Sequence, residues 1–155
     1  MKLSTKGRYG LRAMVDIAQQ QDAGPVAIHT IAQRQSLSSR YLEQLLIPLK
    51  QAGLVKSLRG AQGGYVLGRS AAKITVGDII RVLEGPIAPV DCVNELNLDE
   101  CRRADYCVTR KVWTKLRDTM CEVLDSYTLE DLARESDVME NTNPILLGDD
   151  HDRKC

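Results

Sequence analysis

Apolar residues recur at spacings of three and four through about the first fifty positions, and the pattern then gives way to a glycine-rich stretch between two short runs of strand formers. Few folds accept that order. Leu11, Met14, Val15 and Ala18 fall at i, i+3, i+4 and i+7, on one face of a helix from about Thr5 to Gln20. A second, shorter helix carries Ile28, Ile31 and Ala32 on one side and stops near Gln35. The polar residues 36–39 form a tight turn in which Ser38 or Ser39 can accept from the open N–H groups of the next helix. That third helix repeats the spacing with Leu42, Leu45, Leu46 and Leu49, bends at Pro48 and ends at Gly53.

Residues 54–58 and 65–67 read as two short strands joined by Arg59 and a loop with three glycines. Helix, helix, turn, helix, then a glycine-rich hairpin predicts a winged helix-turn-helix. In such a domain the third helix enters the major groove, and its outer face here begins with Ser39, Arg40, Glu43 and Gln44. The hairpin would carry Arg59 to a neighbouring minor groove, where negative potential favours a guanidinium. A winged helix that binds only protein is the competing reading. A phosphate-binding loop is excluded, because these glycines precede a strand and no Gly-Lys-Ser/Thr follows.

Charge favours the nucleic-acid reading. The chain is formally neutral, yet residues 1–70 hold 10 Lys and Arg against 3 Asp and Glu, a balance of +7, while residues 71–155 hold 11 against 18, a balance of −7. A basic first half points to an anionic partner. With no Phe and one Trp, the core must be built of Leu, Ile, Val and Met. The first residues lack the apolar run of a signal peptide, and no run of 18 apolar residues occurs, so a cytoplasmic protein with no membrane partner is expected. No nucleophile, base and orienting group stand together, so an enzyme is not expected.

Beyond the wing, Thr75 and Asp78 have the capping-box spacing, and Val76, Ile79, Ile80 and Leu83 give a fourth helix its apolar face. Residues 86–107 show no periodic pattern and hold Cys92, Cys101 and Cys107, which makes them a candidate metal loop. From Val108 to about Ser126 a helix of about 28 Å carries Val112, Leu116, Met120, Val123 and Leu124 as a stripe. Such a stripe needs a second surface, either a second copy of the chain or the chain's own domain. A short helix begins at Thr128, with Asp131 at capping-box spacing, and the pattern fades after Ser136. The expected organisation is therefore a DNA-binding domain over 1–85, a cysteine-bearing loop over 86–107, a dimerisation helix and short helix over 108–136, and a disordered tail over 137–155. Cys121 and Cys155 read as incidental thiols.

Residues 1–10 (Met-Lys-Leu-Ser-Thr-Lys-Gly-Arg-Tyr-Gly), 41–45 (Tyr-Leu-Glu-Gln-Leu) and 58–65 (Leu-Arg-Gly-Ala-Gln-Gly-Gly-Tyr) carry a resemblance that covers nearly all of residues 1–136. In these stretches the chain resembles the IscR-type transcription regulators, dimeric winged-helix proteins that bind an iron–sulfur cluster. The resemblance implies that residues 38–44 lie in the major groove. Ser38, Ser39, Arg40, Tyr41, Glu43 and Gln44 would then meet double-stranded promoter DNA, with Glu43 helping to choose between sites and Arg59 at the wing tip. It implies a homodimer, and cluster ligation by Cys92, Cys101 and Cys107, with 2Fe-2S preferred to 4Fe-4S. The target genes would be those for cluster assembly, with nitric oxide or redox sensing as the neighbouring alternative.

The chain departs from that pattern at the fourth ligand. Arg110 stands where a His is expected, and Arg8 and Arg12 occupy positions where some relatives supply a ligand from the partner's first helix. A nearby carboxylate (Asp91, Glu95, Asp99, Glu100 or Asp105), a small molecule, or a remote residue of the dimer stays open as the fourth donor. A structural zinc, three plain thiols as in cluster-free relatives that regulate sulfur metabolism, and a cluster-carrying module without DNA binding are the other readings.

Overall fold

In the computed structural model, which describes residues 3–96 and 101–142, the architecture is mainly helical with one two-stranded sheet. The helices are α1 (Thr5–Gln19), α2 (Ile28–Gln35), α3 (Ser39–Gln51), α4 (Val76–Glu84), α5 (Arg110–Ser126) and α6 (Leu129–Thr142). Strands β1 (Val55–Leu58) and β2 (Gly64–Leu67) pair antiparallel, with Val55 opposite Leu67 and Leu58 opposite Gly64. This is a winged helix-turn-helix followed by two further helices.

Each boundary has a local cause. Ser4 caps α1 by accepting from the N–H groups of Lys6 and Gly7. At the end of α2 the Leu37 N–H reaches the Ala32 carbonyl at 2.9 Å and the Ser36 N–H the Gln33 carbonyl at 3.2 Å, a Schellman closure with Ser36 left-handed at φ 53°. The same closure ends α3 at Gly53, φ 74°, where a residue with a side chain would be strained. Both capping boxes are formed, Thr75 with Asp78 before α4 and Thr128 with Asp131 before α6.

The core lies where α1 crosses α2, α3 and α4. Met14 and Ile17 of α1, Ile31 of α2, Leu42, Leu46 and Leu49 of α3 and Ile79 and Leu83 of α4 share one buried cluster. Full burial of each such side chain is worth about 1.5–3 kcal/mol. The approach of α1 to α4 is close because Gly10 offers no side chain; a Cβ there would stand 2.2 Å from the Leu83 Cδ1. Polar contacts finish the joint. The Glu84 carboxylate, at the far end of α4, accepts from the Gly7 N–H at 2.8 Å and from the Ser4 hydroxyl.

Two elements differ from expectation. The stripe of α5 divides: Met120 and Leu124 pack toward Val76, Ile80 and Ile87, while Val112, Leu116 and Val123 are exposed at 58%, 41% and 51%. A single helix thus serves its own domain on one side and leaves an apolar strip on the next. The last helix is not short, and the tail expected from residue 137 is helical as far as Thr142. Contact with α1 continues it past Ser136, since Leu129 and Ala133 are buried and the Gln19 amide donates to Asp137 at 2.7 Å. Residues 143–155 lie outside the described residues.

Backbone hydrogen bonds join the packing of Val55, Tyr65 and Leu67 in tying the wing to the body. Val26 and Tyr65 exchange hydrogen bonds of 3.0 and 2.8 Å, which makes residue 26 a one-residue third strand. A Cβ on Gly64 would lie 2.4 Å from the Val26 carbonyl oxygen. Gly64→Ala is therefore expected to lower stability by about 1–3 kcal/mol, read as the midpoint of urea unfolding; an unchanged midpoint would contradict this contact.

Candidate nucleic-acid interface and thiol stretch

Burial of Leu42, Leu45, Leu46 and Leu49 turns the opposite side of α3 outward. Arg40, Glu43 and Gln44 are exposed there, whereas Ser39 and Tyr41 are half-buried. Ser38 has a structural task, because its hydroxyl accepts from the Tyr41 N–H at 3.2 Å and caps the helix. Arg59 is exposed just beyond β1. Burial, and secondarily the Glu43 carboxylate, hold the Tyr65 phenol above its ordinary value, which makes Glu43 a neighbour of the base of the wing.

Two supports of this face escaped the sequence pattern. Tyr41 meets Tyr9 of α1 edge to face, centroids 6.3 Å apart, and the Arg12 guanidinium lies 5.6 Å over the Tyr9 ring while donating to Gln35 at 3.0 Å. Asp16, only 4% exposed, accepts from the Arg34 Nε at 2.9 Å and the Gln35 amide at 3.0 Å. That bond also raises the Arg34 pKa above its ordinary value. It locks α2 on α1, and so sets where the turn delivers α3. A polar residue amid the apolar face of α1 was the only trace of it in sequence.

The cysteine stretch begins and ends on fixed points. Cys92 sits in a short 3-10 turn, Asp91–Val93, whose Val93 is buried and accepts from the Arg117 guanidinium of α5 at 3.0 Å. Cys107 stands at the entry to α5, its sulfur 3.2 Å from the Thr109 hydroxyl and its carbonyl accepting from the Arg110 N–H. The Thr109 hydroxyl first, then the Arg110 N–H, hold the Cys107 thiol below its ordinary pKa. Cys92, Cys101 and Cys107 are all half-buried free thiols. Asp99 and Glu100, two of the carboxylates considered as fourth donors, lie outside the described residues, as do His151 and Cys155.

Among the described residues no three Cys, His, Asp or Glu side chains gather closely enough to hold a metal ion. Soft thiolates suit an iron–sulfur cluster in kind. All three stand in one stretch, though not gathered into one site among the described residues. Cys121 packs against the cluster of Val76, Ile80 and Ile87 and beside Arg81.

Comparison with known proteins resolves the family. The family model described as Rrf2, an iron-dependent transcriptional regulator, matches residues 3–135. The chain belongs to the Rrf2 family. Among its relatives is the HTH-type transcriptional regulator CymR of Bacillus subtilis, 53% identical over 137 residues that span 88% of this chain and 93% of that one. IscR of Escherichia coli is 38% identical over 140 residues, covering 90% and 85%. Among solved structures, CymR, titled the global cysteine regulator of B. subtilis, superposes with a TM-score of 0.73 over 87% of this chain and 98% of that one. IscR of T. potens, 48% identical, gives 0.74 over 90% and 91%. Rrf2 membership makes the chain a DNA-binding transcription regulator, and both CymR and IscR lie within its range of similarity.

The geometry around Cys107 has a chemical consequence. Thr109→Val removes the largest source of thiolate stabilisation, so alkylation of Cys107 by iodoacetamide should slow severalfold at pH 7 and recover wild-type speed near pH 10, where either thiol is ionised. Peptide mapping by mass spectrometry reads the rate at this residue alone.

Proposed function

We propose that this Rrf2 regulator acts as a homodimer that occupies promoter DNA through the exposed turn of α3 and the wing, under the control of Cys92, Cys101 and Cys107. The observation that carries the DNA reading is the outward face of α3, where Arg40, Glu43 and Gln44 stand exposed over four buried leucines in a half-chain of charge +7. Ser38, Ser39 and Tyr41 start that turn, and Arg59 extends the contact to the minor groove. The exposed strip of Val112, Leu116 and Val123 on α5 supports dimerisation, because a second copy would cover it and pair two half-sites by symmetry.

Control by a cluster, 2Fe-2S in preference to 4Fe-4S and bearing on cluster-assembly genes, is supported by the iron-dependent description of the family, the similarity to IscR and the three thiols in one stretch. The cluster would supply a redox-labile link between those thiols. The chain's own part is mechanical: the Val93 carbonyl holds the start of the stretch to Arg117, and Cys107 is continuous with α5, so a change in the stretch bears on the dimer helix. A cluster-free regulator of sulfur metabolism is the second reading. It is favoured by the separation of the thiols and by the similarity to CymR.

Binding of the chain to its own upstream DNA should weaken steeply as salt rises, and Arg59→Ala should cost on the order of 1 kcal/mol, both by fluorescence anisotropy. Absence of binding at low salt would sink the DNA reading. Visible absorption and iron content of anaerobically prepared protein, beside Cys92→Ala, separate the two forms of control. Colour and iron lost in the variant select the cluster, and a colourless wild type that resists reconstitution selects plain thiols.

A further inference from the structure

At 100° per residue, Arg40, Glu43, Gln44 and Ile47 share one side of α3 and the four buried leucines share the other. Ile47 falls between Glu43 and Gln44 in angle, one turn further along the helix. Its side chain is 54% exposed, while Leu42, Leu45, Leu46 and Leu49 are exposed by 1% or less. A large apolar side chain therefore stands more than half exposed in the middle of an otherwise polar face.

A single exposed isoleucine needs no partner on an arbitrary surface. Here it continues the row of side chains that the proposed function places against base edges, and the major groove presents one apolar group to such a row, the C5 methyl of thymine. Isoleucine has no donor or acceptor, so it cannot read a hydrogen-bonding edge. It can pack on a methyl and exclude water from it.

We propose that Ile47 is a specificity-determining residue that packs against a thymine methyl and so selects thymine over cytosine at one position of each half-site. This rests on the DNA-binding reading. Burial of one methyl group corresponds to about fourfold in affinity. The side chain is too exposed for its truncation to open a core cavity, so a variant reports on binding rather than folding.

The test uses duplexes that the full-length chain selects from a randomised pool. Each thymine of the selected site is replaced in turn by uracil, which lacks only the methyl. Wild type should lose about fourfold at one thymine per half-site. Ile47→Ala should bind the two duplexes equally, and Ile47→Val should restore part of the difference. A wild type blind to every methyl, an Ile47→Ala protein that keeps the full difference, or a selected site without a preferred thymine would overturn the assignment alone. A chain that selects no sequence would overturn the DNA-binding reading, and this one with it.

Discussion

The structure depends most on the burial of the leucine face of α3 beneath α1. Leu42, Leu46 and Leu49 share a cluster with Met14 and Ile17, and that contact decides which side of the helix is left to meet a partner. Because the four leucines occupy one side of a regular helix, Arg40, Glu43, Gln44 and Ile47 have no alternative but the other. The Asp16 carboxylate adds an angular constraint to this apolar one. Held by Arg34 and Gln35 in a site with little water, it fixes α2 on α1 and hence the direction in which the Ser36 turn sends the chain.

Behind this layer, α4 works as a strut between α1 and α5. At its C-terminal end Glu84 grips the start of α1 through the Gly7 N–H and the Ser4 hydroxyl. Along its length Arg81 makes two bonds of 2.7 Å to Asp125 of α5, which lower the Asp125 pKa and raise that of Arg81. The exposed pair is worth little to stability, but its forked geometry sets the angle between the helices. Val76 and Ile80 on α4 pack with Met120 and Leu124, so apolar and ionic contacts agree on one docking of α5. The short helix α4 thus touches α1 and α5 at once.

The thiol stretch adjoins α5. Val93 and Arg117 tie its beginning to α5, and Cys107 leads directly into that helix. Chemistry at Cys92 or Cys107 therefore acts beside α5 rather than beside α3. CymR, titled the global cysteine regulator of B. subtilis, and IscR of T. potens share this frame.

Much of this was legible in the chain itself. The helices α1 to α4, both capping boxes, the wing and the outward residues of α3 followed from apolar spacing, cap residues and glycine positions, because each is fixed by interactions within a few residues along the chain. The family was legible in three short stretches. Tertiary structure alone decided the rest. Whether Met120 or Val123 of α5 faces the body depends on where α4 lies, the continuation of α6 to Thr142 depends on α1, and the work of Asp16 and Tyr9 depends on partners brought up by the fold. Spacing placed three cysteines in one stretch, but gathering them is a matter of backbone path, and among the described residues that stretch meets α5 at Val93 and at Cys107 without the thiols forming one site.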